Sequence, residues 1–377
     1  MSDAGPPLAD LRVVDASTVL AGPSCARLLA DFGARVVKVE PPAGDTLRNM
    51  AWKDPRDGES LMWKFQNRGK RTVVLDLKDA TDHERFLRLC DGADVVVENF
   101  RPGVFERLGL GPDVLLARNP RLVMTRVTGF GQDGPYSGRP GFATLAEAMS
   151  GFASLLGEAA GPPLLPPIAL TDEVTGIVAA FATLAAVHSG RGQVVDVSLL
   201  ESMFALMGPL IGAYHLLGYE QRRMGSGIPY SVPRGTYRTA DGRWVAVSSS
   251  SDSVANRVLK LLGVEADERF ATFDARVEHR DELDAVATAF IAARPLDEVL
   301  AAFAAAEAAV APVLTIADIA HDPHFAARHA IVDVDGMPQQ GVIAHLSVTP
   351  GAIRHAGRSL DADGPAIRAG LDDGTVW

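Results

Sequence analysis

The stretch LRVVDASTVLAGPSCARLLADFGARVVKVEPP, Leu11 to Pro42, reads as strand, helix and strand in succession. LRVVDAS is a short apolar run of the kind a buried strand carries. AGPSCARLLADFGA has helical spacing, and RVVKVEPP is a second apolar strand that two prolines stop. Two strands joined through a helix run parallel, because such a crossover returns the chain to the same end of the sheet. The pattern continues outward. KRTVVLDLK predicts a third strand, ATDHERFLRLCDGA a helix and DVVVENF a fourth strand, with RPGVFERLGLG and RLVMTRVTGFG beyond. The fold class that follows is α/β, an open parallel sheet with helices on both faces. No Gly-x-Gly-x-x-Gly follows the first strand, which argues against a dinucleotide-binding fold.

From about Phe142 to Leu217 the sequence turns helical and apolar, broken by RGQVVDVSLLESMF, read as strand then helix. After GSGIPYSVPRG, TYRTADGRWVAVSSSS predicts a hairpin that turns at Asp241-Gly242, and PLDEVLAAFAAAEAAVAPV predicts helix. A large domain therefore runs to about residue 220 and a smaller one follows. The last fifty or so residues, with GVIAHLSVTPG, read as mixed strand and loop.

A chain of 377 residues, 47% of them apolar, buries a sizeable core. Its net charge of -11 disfavours a general nucleic-acid binder, which needs a basic surface. Cys25 and Cys90 offer neither a disulfide framework nor a CxxC metal pair, and point to a reducing cytoplasm. MSDAGPPLADLRVVD lacks a basic region followed by an apolar run, and no uninterrupted apolar stretch reaches spanning length, so neither export nor a membrane role is expected.

The chemistry centres on PPIALTDEVTGIVAAFATLAAV, Pro166 to Val187, where one acidic pair opens an apolar helix. Two readings stand side by side. Thr171 or Asp172 caps the helix through a short oxygen side chain, or Asp172 stays ionised beside the positive helix end and acts as a nucleophile. A carboxylate nucleophile suits the activation of another carboxylate, because the mixed anhydride is as reactive as the bond that was broken. Glu173 reads as a first-turn partner of the helix dipole. No histidine lies between Val127 and Gly176, and His321, His324 and His329 present no metal face, so no metal is expected. No Gly-x-Ser-x-Gly accompanies the serines of VSSSSDS. Lys78 and Arg107 stand near the ends of predicted parallel strands, where they are either solvated or available to phosphates.

Several segments together resemble the family III CoA-transferases, the group that includes carnitine CoA-transferase, formyl-CoA transferase and the α-methylacyl-CoA racemases. They are LAGPSCARLLADFGARVVKVEPPAGD, NRGKRTVVLDLK, ADVVVENFRPGVFERLGLG, TGFGQDGPYSGRPGF, EAMSGFA, DEVTG and VVDVSLLESM, in the family's order over nearly the whole chain. The resemblance implies a Rossmann-like large domain built from both chain ends, residues 1–220 and 320–377. It also implies a small α+β domain at 221–319 and an interlocked homodimer. It makes Asp172, which opens DEVTG, the covalent nucleophile. It assigns Val19, Ala21, Leu75, Leu77, Lys78, Asn99, Phe100 and Arg107 to the site of coenzyme A, the co-substrate, and puts Phe142 near the reacting thioester.

Three departures shape the expected activity. Leu20 stands where formyl-CoA transferase has a glutamine, which disfavours formyl and oxalate substrates. Phe142 stands where the racemases carry a histidine, and a phenyl ring removes no α-proton. VSSSSDS replaces the glycine-rich loop of formyl-CoA transferase. The expected function is a CoA-transferase that moves CoA from an acyl-CoA thioester to a carboxylic acid through aspartyl anhydride and aspartyl-CoA thioester intermediates. The alternatives are a 2-methylacyl-CoA racemase or epimerase with another base, and a catalytically silent CoA-ester binding protein. Leu20, Phe142 and the mostly apolar run from Met203 to Ile211 suggest a medium, branched or aromatic acyl group.

Overall fold

The computed structural model describes residues 5–249 and 251–377. Six strands form one sheet: β1 (Arg12–Asp15), β2 (Arg35–Glu40), β3 (Lys70–Val74), β4 (Val95–Glu98), β5 (Val123–Thr128) and β6 (Gln193–Ser198). Their order is β3-β2-β1-β4-β5-β6 and every neighbouring pair is parallel. In the inner strands β1, β2, β4 and β5 successive side chains alternate between two buried faces. Val13, Val36, Val95 and Val123 join one core with the Ala21–Asp31 and Leu170–His188 helices. Val14, Val37, Val96 and Met124 join the other with Phe86, Phe105 and the C-terminal Ile367 and Leu371. Burial on both faces is why β1, β2 and β4 are rich in valine rather than an alternation of apolar and polar residues.

The chain builds β1, β2 and β3 in one direction, then returns to lay β4 on the free side of β1. The loops that follow β1 and β4 consequently diverge and leave a crevice beyond the carboxyl ends of the strands. The Leu170–His188 helix crosses the Ala21–Asp31 helix at Gly176, where an added Cβ would stand 2.3 Å from Ser24 Cβ. This helix is long and apolar enough in composition to cross a membrane. One face, with Thr171, Thr175, Ala179, Thr183 and Ala186, is nonetheless buried in the core.

Two compact units divide the chain. One comprises the chain up to Phe152, Leu165–Gly208 and His324–Trp377; the other comprises Ala153–Leu164 and Pro209–Pro323. The second unit carries the antiparallel strands β7 (Arg234–Arg238), β8 (Trp244–Ser248) and β9 (Val310–Pro312). Val245, Val247, Ile291, Val299 and Phe303 form its core, and Gly242 makes the hairpin turn at a φ of 79°. Ser250 of the VSSSSDS loop lies outside the described residues. Toward the C-terminus, β10 (Ile331–Val334) and β11 (Met337–Gln340) pair antiparallel, whereas GVIAHLSVTPG is loop.

Candidate active site

A cavity of about 340 Å³ opens in the crevice, walled by the loops after β1, β4 and β5. Val19, Leu20 and Ala21 line it from the first loop, Asn99 and Phe100 from the second, and Phe142 and Asp172 from further along the chain. A slot of about 170 Å³ adjoins it, lined by Leu75, Leu77 and Lys78. Thr18 and Phe100 border both spaces. Arg107 lines neither. It is exposed on the short Val104–Arg107 helix, beside Leu108, which does border the slot. The apolar run from Met203 to Ile211 also stays out of the cavity: Met203 is buried, while Phe204, Leu206 and Ile211 point to the surface.

The loop after β1 is held in an unfavourable shape. Val19 has a φ of 66°, which a β-branched residue adopts only under constraint. Its N–H donates to both carboxylate oxygens of Asp45 at 3.2 Å. The Asn99 amide grips the preceding residue twice, accepting from Thr18 N–H and donating to Thr18 C=O, each at 2.8 Å. Asn99 is therefore a clamp on the cavity wall, a role its place in the ENF motif did not reveal. Beneath the loop, buried Asp15 accepts from Lys70 Nζ at 2.8 Å and pairs with Lys38 at 3.8 Å. Lys38 also meets Asp45 at 3.2 Å, so a charge-compensated network joins the end of β1 to the turn that steadies Val19.

Asp172 is the third residue of the Leu170–His188 helix, whose N-cap is Ala169 and has no side-chain bond. Neither Thr171 nor Asp172 caps the helix: the Thr171 hydroxyl instead donates to buried Glu147 at 2.8 Å. The Asp172 carboxylate has no ion pair or side-chain hydrogen bond among the described residues. Burial, then the charge of Glu173, then that of Glu147, push its pKa up to about 6. The expected pull of the helix end toward a firmly ionised group is thus outweighed, yet most of the carboxylate is still ionised at neutral pH. Glu173 pairs with Arg27 at 2.7 Å, and the Arg27 guanidinium lies 4.6 Å from the Phe65 ring centre. Glu173 is accordingly a tie between two helices.

The cavity also contains Thr18, Arg101, Phe130, Ser137 and Arg139, none of which sequence reasoning singled out. The last three lie in TGFGQDGPYSGRPGF, whose glycines signalled a shaped loop without showing which side chains it presents. Among the described residues no group of three or more His, Cys, Asp or Glu is placed to hold a metal.

The model of the family described as CoA-transferase family III matches residues 8–363. A succinyl-CoA–D-citramalate CoA-transferase of Chloroflexus aurantiacus is 38% identical, over 94% of this chain and 91% of its own length. A succinate–glutarate CoA-transferase of Agrobacterium fabrum is 35% identical, over 94% of this chain and 92% of its own. The crystal structure of a CAIB/BAIF family protein from Brucella suis superposes with a TM-score of 0.87 at 32% identity, covering 98% of this chain and all of that one.

Proposed function

The chain belongs to CoA-transferase family III, and we propose that it moves coenzyme A between acyl-CoA thioesters and carboxylic acids with Asp172 as the covalent nucleophile. The observation that carries this reading is a half-buried, unpartnered Asp172 carboxylate lining a cavity at the carboxyl edge of the sheet. The adjoining slot takes the nucleotide end of CoA, with Leu75 and Leu77 against the base and Lys78 toward the phosphates. The pantetheine arm passes Thr18 and Phe100 to bring the thioester to Asp172.

Asp172 Oδ attacks the thioester carbonyl and CoA thiolate leaves, giving an aspartyl-acyl anhydride. The thiolate then attacks the aspartyl carbonyl, releasing the donor acid and leaving an aspartyl-CoA thioester. The acceptor carboxylate attacks that thioester and expels the thiolate, which takes the acceptor acyl group from the second anhydride. Asp172 is regenerated and no proton is consumed. Leu20 and Phe130, which line the cavity, limit water at the anhydride.

The two named relatives carry the names of dicarboxylic substrates, and we read the acyl group here as dicarboxylic in place of the medium, branched or aromatic one expected from Leu20 and Phe142. A homodimer completes the reading, interlocked as the resemblance implies. Phe181, 75% exposed on the Asp172 helix, and, in the second unit, Leu216 at 85% and Leu217 at 78% are large apolar side chains that a second copy would cover. The free, buried Cys25 and Cys90 support a cytoplasmic location.

The test is to incubate the protein with succinyl-CoA, trap with hydroxylamine or borohydride, and locate the modified peptide by mass spectrometry. A donor-dependent change on Asp172, lost in Asp172→Ala, is expected. No adduct together with exchange of the α-proton would favour a racemase, and neither would leave a CoA-ester binding protein.

A further inference from the structure

We infer that Arg139 is the specificity residue that holds the remote carboxylate of the dicarboxylic substrate; the inference rests on the CoA-transfer reading and extends it to one side chain. The loop from Gly129 to Phe142 is braced for such a task. Gly129 and Gly141 are packed backbone to backbone, so that an added Cβ on either would lie 2.6 Å from the other's Cα. Within the loop the Phe130 and Tyr136 rings meet edge to face at 6.0 Å. The Arg139 N–H donates to the Tyr136 carbonyl at 2.9 Å, and the Arg139 guanidinium lies 4.1 Å from the Tyr136 ring centre.

A guanidinium that rests its face on an aromatic ring keeps its N–H edge for hydrogen bonding. No ion pair or side-chain hydrogen bond engages that edge among the described residues. Arg139 also lines the cavity that contains Asp172. A permanently charged planar fork in such a place matches a carboxylate, which accepts two parallel bonds from it.

Charge balance points the same way. A dicarboxylic acyl group brings a second negative charge into a cavity where neighbouring carboxylates already raise the pKa of Asp172. Among the described residues, Arg101 and Arg139 are the cations lining the cavity. Arg101 directly follows Phe100, which borders both the cavity and the nucleotide slot, and so stands near the passage between them. Arg139 lies in the loop that leads to Phe142, none of which lines that slot.

The experiment compares kcat/KM for succinyl-CoA and butyryl-CoA, which differ in the remote carboxylate, in the wild type, Arg139→Met, Arg139→Lys and Arg101→Met. Arg139→Met is expected to lower the succinyl-to-butyryl ratio by about ten- to a hundredfold, the size of a charge-assisted hydrogen-bond pair. Arg139→Lys recovers part of the ratio, and Arg101→Met lowers both rates in step. Thermal melts of each variant check the fold. A wild type that prefers succinyl-CoA, with a ratio that Arg139→Met leaves unchanged, overturns the assignment alone. A wild type that takes both esters equally, or neither, overturns the dicarboxylic reading as well.

Discussion

The Thr171 hydroxyl donates to Glu147 Oε1 across 2.8 Å, which sets a second buried carboxylate behind the helix turn that presents Asp172. Together with Glu173 and burial it makes Asp172 harder to ionise, with a pKa raised to about 6. A nucleophile must be ionised to attack, so kcat/KM falls as pH drops through about 6. Glu147→Gln keeps an acceptor for Thr171 and removes the charge. The acid limb of the profile should then move to lower pH, read from kcat/KM between about pH 4.5 and 8. An unmoved limb would mean that Glu147 does not act on Asp172 electrostatically.

The same shift has a cost in stability. Because the folded-state pKa of Asp172 lies above its ordinary value of 3.8, folding favours the protonated form. The penalty is complete above about pH 6 and fades as pH falls toward 3.8. Asp172→Asn, which forms no aspartyl adduct, should therefore be more stable than the wild type near neutral pH, by up to about 3 kcal/mol. The gain should shrink toward about pH 4. Urea denaturation at the two pH values measures it, and an equal gain at both would contradict the linkage.

The strand, helix and strand of Leu11–Pro42 were legible because each strand is rich in valine and prolines end the second. The reversal between β1 and β4 leaves no local mark, since it is decided by which side of β1 a returning chain can cover. The same limit applies to the side chains. Asp172 was legible from its charge in an apolar helix, but Thr171 reads as a cap until Glu147, 24 residues away, is seen to take its hydroxyl. The basic character of Arg107 says nothing of its direction, and Arg139 gained meaning only through the Tyr136 ring beneath it.

Gly176 follows Asp172 by one helical turn and lies at the crossing with the first helix. An alanine there would drive its Cβ to 2.3 Å from Ser24 Cβ and 3.2 Å from the Ala21 carbonyl oxygen. Neither neighbour is the free end of a long side chain, so the helices must separate. Gly176→Ala is expected to lose about 1–3 kcal/mol of stability and to displace Asp172 from the cavity. Denaturant midpoints and the yield of trapped adduct test both parts. Unchanged stability would show that the crossing yields more readily than its geometry indicates.

Asn99 offers a sharper contrast, because a direct CoA ligand and a clamp on Thr18 behave differently in the free protein. Asn99→Ala removes two 2.8 Å bonds to the Thr18 backbone, next to the residue held at a φ of 66°. As a clamp, its loss should destabilise the protein by about 1–3 kcal/mol and raise KM for acyl-CoA more than it lowers kcat. It should also speed amide exchange at Thr18 with no ligand present, since the Thr18 N–H loses its acceptor while the Val19 N–H keeps Asp45. A simple ligand contact would raise KM and leave exchange in the free protein unaltered. Hydrogen exchange of the ligand-free variant therefore decides between them: slow, wild-type exchange at Thr18 would remove the clamp and return Asn99 to the surface that touches CoA.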